Sequence, residues 1–410
     1  APYPRGNHMR VTQLTWTTAF ATAAALVVFA LAQPEPLVIE AAPLQEDARL
    51  EDLKNEAVVD VESRRDFTQQ MVDMIYSFNE LGFQEFETQR YVTGILEDNG
   101  FTVELGVAGI PSAWWASWGS GAPVIAIGTD VDGIPQASQK PGVAYREPLI
   151  KGAPGHGEGH NAGQALNVTA ALAVQKIMQR EGLSGTLKIW PGIAEEQLGS
   201  KAFFVREGVF DGVDVNLFTH VSSNFSMTWG HTSGNALVST QFRFRGETAH
   251  SAGSPWRGRS ALDAVMLMAQ AWEFKREHLR PPQRSHYIIV EGGDQPNVVP
   301  QTATIWFFLR EVDYEHVVEM YDAAKLMAQG AAMMTGTQID TIMTIGSAWS
   351  RHFSKPVAEV AQANIELVGL PEWSDDDIAM ANALQREMGQ EPRGLATSVP
   401  PLRGPINLEQ

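Results

Sequence analysis

The spacing of apolar residues along the chain predicts its first architecture. Met71, Ile75 and Phe78 recur on one face of a helix. From about residue 100 to 222, strand-like apolar runs alternate with further helices. The run "APVIAIGTD" is almost wholly apolar, as expected for a strand that is buried on both faces. This alternation predicts an α/β domain with a mixed, largely parallel sheet that is covered by helices.

From about residue 229 the order of predicted elements becomes β-α-β-β-α-β. Two helical segments lie among the strand patterns "NALVSTQFRFRG", "HYIIVEGG", "TATIWFFLREVD" and "TQIDTIMTIG". This order is the ferredoxin-like arrangement. We therefore expect one α/β domain formed by residues 45–228 and 346–410, with a ferredoxin-like domain of residues 229–345 inserted into it.

The composition is that of an acidic globular protein. Hydrophobic residues make up 44% and charged residues 19% of the chain, which is enough apolar material for a substantial core. The net charge of −18 argues against nucleic acid as a partner. The acidic stretch 40–62 is expected to be mobile. Because the chain has no cysteine, any metal site must use imidazole and carboxylate ligands.

Residues 1–32 have the layout of a signal peptide. Met9 and Arg10 precede an apolar run that ends in Ala30-Leu31-Ala32, which matches an A-x-A-like cleavage site. The apolar run also approaches the length of a membrane span, so an uncleaved anchor is the alternative. We expect cleavage, a periplasmic or secreted mature protein, and no stable membrane insertion afterwards.

Several polar side chains follow predicted strands. They are Asp130 and Asp132 after "APVIAIG", Glu195 and Glu196 after "GTLKIWPGI", and His220 at the end of "DVNLFTH". Each alone has an ordinary explanation as a turn residue, a helix start or a core histidine. The stretch "GAPGHGEGHNAG", residues 152–163, holds His156, Glu158 and His160 and could equally be a flexible polar loop.

Taken together, these groups predict a metal site. Ligands bind outside the carboxyl ends of strands in open α/β sheets, so the side chains are expected to converge there. Histidines and carboxylates suit one or two zinc, manganese or cobalt ions. Of the adjacent glutamates, one can bind metal while the other takes a proton from metal-bound water.

Four segments resemble a known family. "GHGEGHN", "AEE", "GETAHSAGSPWRGRSALDAV" and "GGDQPNVVP" are similar to motifs of the zinc-peptidase-like family of aminoacylases and glutamate carboxypeptidases. The resemblance is closest to its amidohydrolase branch, which includes aminobenzoyl-glutamate hydrolases of the B-subunit type, and it runs from about residue 65 onward. It implies a catalytic α/β domain with an inserted ferredoxin-like lid that mediates dimerisation.

The resemblance also implies roles for individual residues. Glu195 falls on the general-base position, and four residues fall on metal-ligand positions: Glu158, His160, Glu196 and His220. Asp132 is expected to orient a ligand. His250 matches a lid histidine that reaches the partner subunit's active site and stabilises the tetrahedral intermediate, and Asn297 matches a lid position near the substrate. His156 is expected to shape the loop.

Two departures from the family pattern bear on these expectations. The branch commonly has cysteine where this chain has Glu158, and a carboxylate there favours manganese or cobalt over zinc. The family has a further histidine ligand near its C-terminus, whereas this chain ends "GLATSVPPLRGPINLEQ" and no histidine follows His352. We therefore expect a fragment of a longer product, with residues 346–410 as an incomplete second part of the catalytic domain.

The expected function is hydrolysis by metal-activated water of the amide bond in N-acyl or N-aroyl amino acids. Aminobenzoyl-glutamate-like and dipeptide-like compounds are the expected substrates, and a homodimer through the lid is the expected assembly. Two alternatives remain: a metal-free homologue that acts as a binding protein, and a related deaminase or aminohydrolase.

Overall fold

A computed structural model describes residues 48–405 of the chain, apart from 223, 233 and 234. The signal peptide expected at residues 1–32 and the last residues, 406–410, therefore lie outside the described residues. Among the helices of the described part, none is long and apolar enough to cross a membrane.

The first sheet has five strands, in the order β1-β2-β4-β3-β5. They are β1 (Thr102–Leu105), β2 (Trp114–Ser120), β3 (Val124–Asp130), β4 (Gly185–Gly192) and β5 (Val215–Phe218). β3 pairs in parallel with β4 and β5, while β2 pairs antiparallel with β1 and β4. Four strands therefore run in one direction and β2 runs against them, which confirms the mixed, largely parallel sheet.

Helices bury the apolar side chains of this sheet. They are α2 (Arg65–Phe78), α3 (Phe86–Asp98), α4 (His160–Glu181) and α5 (Ser200–Arg206), and a further helix, α1 (Ala48–Ser63), packs on α4. Met71 and Ile75 of α2, which set the helical period in the sequence, are fully buried against residues of β2, β4 and α4. A second apolar cluster gathers around Trp190 of β4 and Phe204 of α5.

The expectation that the acidic stretch is mobile is wrong for its described part. Residues 48–62 lie within α1, which packs on α4. Asp60 is almost completely buried and forms ion pairs with Lys176 Nζ at 2.5 Å and Arg64 Nε at 2.7 Å. Glu56 pairs with Arg180. The acidic face of α1 is thus neutralised in part by Lys176 and Arg180, basic residues more than a hundred positions away that local composition does not reveal.

The inserted domain, called the lid domain below, is a four-stranded antiparallel sheet with two helices. Its elements are β7 (Ala236–Arg245), α6 (Ala261–Arg276), β8 (Arg284–Glu291), β9 (Thr302–Glu311), α7 (Tyr314–Thr335) and β10 (Gln338–Ala348). The strand order is β10-β7-β9-β8, the ferredoxin-like order, and all pairs are antiparallel. The predicted β-α-β-β-α-β order is therefore confirmed.

A short strand pair joins the segments that enter and leave the lid domain. β6 (Gly230–His231) precedes the first lid strand, and β11 (His352–Phe353) follows the last one. The two strands pair antiparallel. Two helices, α8 (Lys355–Val368) and α9 (Asp375–Glu387), come after β11. The exact domain boundaries remain a prediction.

Replacing a buried and an exposed phenylalanine of the lid domain should change the free energy of unfolding by very different amounts. Phe307 is fully buried, with its ring 5.5 Å from Trp272 and 6.0 Å from Phe242, whereas Phe274 of α6 is 66% exposed. Phe307→Ala should lower the free energy of unfolding by about 3–5 kcal/mol, because it leaves a cavity. Phe274→Ala should change it by roughly 0.5 kcal/mol or less. Urea unfolding measures both, and equal effects would contradict the described core.

Candidate active site

The carboxyl ends of three parallel strands form one edge of the catalytic sheet. Asp130 at the end of β3 lies opposite Gly192 at the end of β4, and Gly128 lies opposite Phe218 at the end of β5. The segments that follow these strands carry Asp132, Glu195, Glu196 and His220. This register explains why side chains that are distant in sequence emerge at the same place.

Glycines bring the motif of residues 152–163 to this edge. Gly159, directly before α4, has φ 75°, and a Cβ there would lie 2.9 Å from the Val221 side chain. In the first turn of α4, a Cβ on Gly163 would lie 2.1 Å from Thr129 Oγ1. Because Gly163 has no side chain, α4 can approach β3 closely and places His160, its first residue, beside the strand ends.

Four predicted ligands come together at this edge. Possible ligand atoms of Glu158, His160 and Glu196 all lie within 4.8 Å of one another. His220 Nε2 is 3.3 Å from His160 Nε2 and 3.8 Å from Glu158 Oε2. The structure therefore gathers two imidazoles and two carboxylates, which we call the ligand cluster.

The two imidazoles are oriented so that their Nε2 atoms face each other. His160 Nδ1 donates to the Asp132 carbonyl oxygen at 2.9 Å, and His220 Nδ1 donates to the Val221 carbonyl oxygen at 2.7 Å. In these tautomers both Nε2 atoms carry lone pairs directed into the same space. A proton or a metal cation between them would satisfy both, so this arrangement fits a divalent cation.

Negative charge accumulates around His160. Burial alone would lower the pKa of this histidine, but its hydrogen bond with Asp132 and the charge of Asp130 outweigh burial and raise the pKa to about 9. The pKa of Glu196 is also raised, to about 7, by burial and by the nearby charges of Glu158 and Glu195. Positive charge is therefore favoured at the cluster.

One buried oxygen of the cluster lacks a partner. Glu196 Oε1 is inaccessible to solvent and has no hydrogen-bond partner among the described residues. An unsatisfied buried carboxylate oxygen is costly unless a cation or a donor reaches it. This observation, like the facing imidazoles, fits a bound divalent cation.

Asp132 positions the two adjacent glutamates through their backbone. Its carboxylate accepts hydrogen bonds from Glu195 N and Glu196 N, both at 3.1 Å. Glu195 is half-buried, and within the described part of the chain it forms a hydrogen bond through its backbone N and none through its carboxylate. Glu195 is thus held by its main chain while its carboxylate stays available for proton transfer.

An ion pair beside the cluster joins Asp130, which the sequence grouped with the other polar strand ends without an individual role, to Lys201, which the sequence did not single out. Asp130 is 1% exposed, and its Oδ1 lies 2.6 Å from Lys201 Nζ. Asp130 could also share a cation with His160 and His220. Burial raises the pKa of Asp130 to about 6, against the opposing charge of Lys201. The only signal for Asp130 was its place at the end of a strand.

His156 lies apart from the ligand cluster. Its Nε2 is 3.2 Å from the Ile75 carbonyl oxygen, so it ties the motif to α2. Burial lowers the pKa of His156 to about 4, which keeps the ring neutral. The structure therefore gives this histidine a loop-shaping role.

The two predicted lid residues lie next to each other. His250 Nδ1 accepts hydrogen bonds from Gly253 N at 3.0 Å and Ala252 N at 3.2 Å. Ser251 N donates to the Asn297 carbonyl oxygen at 3.0 Å. Both residues belong to loops of the lid domain and are outside the ligand cluster of the same chain.

Comparison with known proteins places this geometry in a family. Residues 232–337 match the model of the peptidase dimerisation domain of M20 proteins. The chain is 36% identical over 335 residues to the B subunit of p-aminobenzoyl-glutamate hydrolase from Escherichia coli strain K12, which covers 81% of this chain and 69% of that protein. The chain belongs to the M20 peptidase family. It is the family that the sequence motifs predict.

Two further comparisons agree with this membership. The chain is 28% identical over 324 residues to the A subunit of p-aminobenzoyl-glutamate hydrolase from Escherichia coli strain K12. This alignment covers 75% of this chain and 73% of the A subunit. The crystal structure of an aminobenzoyl-glutamate utilization protein from Klebsiella pneumoniae superposes with a TM-score of 0.59 at 20% identity, covering 84% and 91% of the two chains. The second comparison supports the fold.

The family membership has two direct consequences. The protein is a hydrolase, and its relatives support amide bonds as the class of bond that it cleaves. It also carries a dimerisation domain of the M20 type, within the lid domain. The ligand cluster is the candidate metal site of this hydrolase.

Substituting two helix glycines tests the close packing of α4 on β3, which positions His160. Gly163→Ala should destabilise the protein by about 1–3 kcal/mol, because its Cβ would overlap Thr129. A Cβ on Gly94 of α3 would lie in open space, so Gly94→Ala should stabilise the protein by about 0.5–1 kcal/mol. Urea unfolding measures both. Equal stabilisation by the two substitutions would refute the packing of α4 on β3.

Proposed function

We propose that the protein hydrolyses the amide bond of N-acyl or N-aroyl amino acids with one or two divalent cations held by the ligand cluster. The observation that carries the proposal is the convergence of Glu158, His160, Glu196 and His220 at one sheet edge, beside the available carboxylate of Glu195. The name of the E. coli relative, p-aminobenzoyl-glutamate hydrolase, supports an aroyl-amino acid as the substrate class.

The cation and Glu195 have different tasks in the proposed hydrolysis. A divalent cation would supply Lewis-acid polarisation of the amide carbonyl and would make water more acidic. Glu195 takes the proton from the attacking water and then delivers it to the nitrogen of the leaving amine. Its carboxylate suits both steps because, among the described residues, Glu195 is held through its backbone N and its side chain has no competing hydrogen bond.

His250 is suited to stabilise the developing negative charge. Since its Nδ1 accepts two backbone hydrogen bonds, a neutral ring carries its proton on Nε2 and can donate from there. We assign it to the oxygen of the tetrahedral intermediate in the active site of a second subunit, with Asn297 beside it near the substrate. A homodimer through the lid domain supplies that arrangement, and pairing with a different subunit is the other outcome of an assembly measurement.

The ligand set favours particular metals. Glu158 contributes a hard carboxylate oxygen, and Glu196 contributes a second one. Manganese and cobalt bind better to sites rich in carboxylate oxygens than to sites that contain a thiolate. We therefore propose manganese or cobalt ahead of zinc, which elemental analysis of protein purified without added metal would test.

The proposed location follows from the sequence of residues 1–32. A positive start, an apolar run and an A-x-A-like site support export, and we propose a periplasmic or secreted enzyme. N-terminal sequencing of protein from a native membrane-free fraction would test this.

Replacing the general base should separate chemistry from metal binding. Glu195→Gln should lower kcat for p-aminobenzoyl-glutamate about 10²–10⁴-fold, because an amide cannot accept the proton from water. Metal content, measured by elemental analysis, should stay near that of the parent protein, since Glu195 is not a ligand. The matched control Glu104→Gln changes an exposed carboxylate on β1 and should leave kcat unchanged.

The products of the parent protein test the reaction class. Release of free glutamate, detected by chromatography, is expected, whereas release of ammonia would indicate a deaminase. Retention of most activity by Glu195→Gln would show that another group is the base. Absence of any turnover on a panel of N-acyl and N-aroyl amino acids with manganese, cobalt or zinc would contradict the proposed function.

A further inference from the structure

A fully buried glutamate lies behind the candidate active site. Glu85, the residue before α3, has no exposed surface. Its Oε1 accepts a hydrogen bond from Ala194 N at 2.8 Å, and its Oε2 accepts one from Ser112 Oγ at 2.8 Å. Among the described residues no lysine, arginine or histidine forms an ion pair with it. Burying a carboxylate without a cation is unfavourable, and the pKa of Glu85 rises to about 7 because of burial.

The contact with Ala194 explains why this carboxylate is buried. Ala194 has φ 52° and ψ 43°, a left-handed conformation that residues other than glycine seldom adopt. Its methyl group lies in a confined space, because a Cβ on Gly82 or on Gly199 would come within 2.8 Å or 2.7 Å of Ala194 Cβ. The strained residue therefore persists because its surroundings and its hydrogen bond hold it.

Glu85 and Asp132 together hold three consecutive backbone amides. Ala194 N donates to Glu85, while Glu195 N and Glu196 N donate to Asp132. A left-handed residue followed by a short 3₁₀ turn points successive N–H groups to the same side, and such a concavity binds negative charge. The two carboxylates thus fix the turn from which the side chains of Glu195 and Glu196 project.

We propose that Glu85 is a positioning residue, which holds the turn at Ala194 so that Glu196 reaches the cation and Glu195 reaches the water. The inference rests on the proposed function for the roles of these two glutamates. It differs from a purely structural role, because a glutamate that only fills the core would affect stability without changing the affinity of the cluster for metal.

Substitutions at Glu85 and Ser112 separate the two possibilities. Glu85→Ala removes the acceptor for Ala194 N, whereas Glu85→Gln keeps a carbonyl oxygen there and has an amide group that can donate to Ser112 Oγ. Ser112→Ala removes the hydrogen bond to Oε2 and leaves the one to Ala194 intact. Glu85→Asp has a shorter side chain that reaches Ala194 poorly, and it replaces Glu85→Ala if that variant does not fold.

The first measurement is binding of Co²⁺ to the full chain, followed by visible absorption and calorimetry. Glu85→Ala should weaken Co²⁺ binding about 10- to 100-fold, the usual effect of losing a group that orients a ligand. Glu85→Gln and Ser112→Ala should remain within about threefold of the parent protein. A folded Glu85→Ala or Glu85→Asp variant with the parent's affinity would overturn the proposal.

The second measurement does not depend on metal or activity. Hydrogen exchange of a peptide that covers residues 193–199, followed by mass spectrometry, reports the turn directly. Exchange should become at least about tenfold faster in Glu85→Ala and stay unchanged in Glu85→Gln. If the parent chain binds no Co²⁺, the proposed metal site fails, but this result still decides whether Glu85 holds the turn at Ala194. Unchanged exchange in Glu85→Ala would overturn the inference alone.

Discussion

The buried side chain of Asp132 connects the chain segments that form the candidate active site. It follows β3, its carbonyl oxygen orients His160 at the start of α4, and its carboxylate holds the backbone of Glu195 and Glu196 after β4. Because Asp132 is 1% exposed, these hydrogen bonds are shielded from water. The positions of His160, Glu195 and Glu196 therefore all depend on Asp132, through its carbonyl oxygen for His160 and through its carboxylate for the two glutamates.

The electrostatics of the site follow from this arrangement. Acidic groups crowd around two imidazoles whose Nε2 atoms are 3.3 Å apart, and one oxygen of Glu196 is buried without a partner among the described residues. In isolation such a cluster is unfavourable, because like charges repel and buried polar atoms need partners. A cation would relieve each of these penalties, and a hydrolase of the M20 family can use that cation in its chemistry.

Much of the fold could be predicted because it depends on local periodicity. The alternation of strands and helices determined the sheet type, and parallel strands place their carboxyl ends at one edge, so Glu196 and His220 were expected to meet. The lid order followed from the same reasoning. The family resemblance then gave each residue a role that periodicity could not provide.

Other features depend on tertiary contacts that the sequence does not display. The acidic helix α1 is ordered by Lys176 and Arg180 of a distant helix. Glu85 precedes a helix, where a glutamate is ordinarily solvated, and only the structure shows it buried against Ala194. The left-handed conformation of Ala194 likewise has no signal in its side chain, and Lys201 became relevant only through its contact with Asp130.

The most direct test of the metal site is a crystal structure of the protein grown with Co²⁺, with anomalous scattering data collected at the cobalt edge. Cobalt held by the ligand cluster should give an anomalous peak at the sheet edge, about 2.0–2.3 Å from ligand atoms of Glu158, His160, Glu196 and His220. An anomalous peak bound elsewhere, or these four side chains directed to different solvent faces, would contradict the proposed metal site.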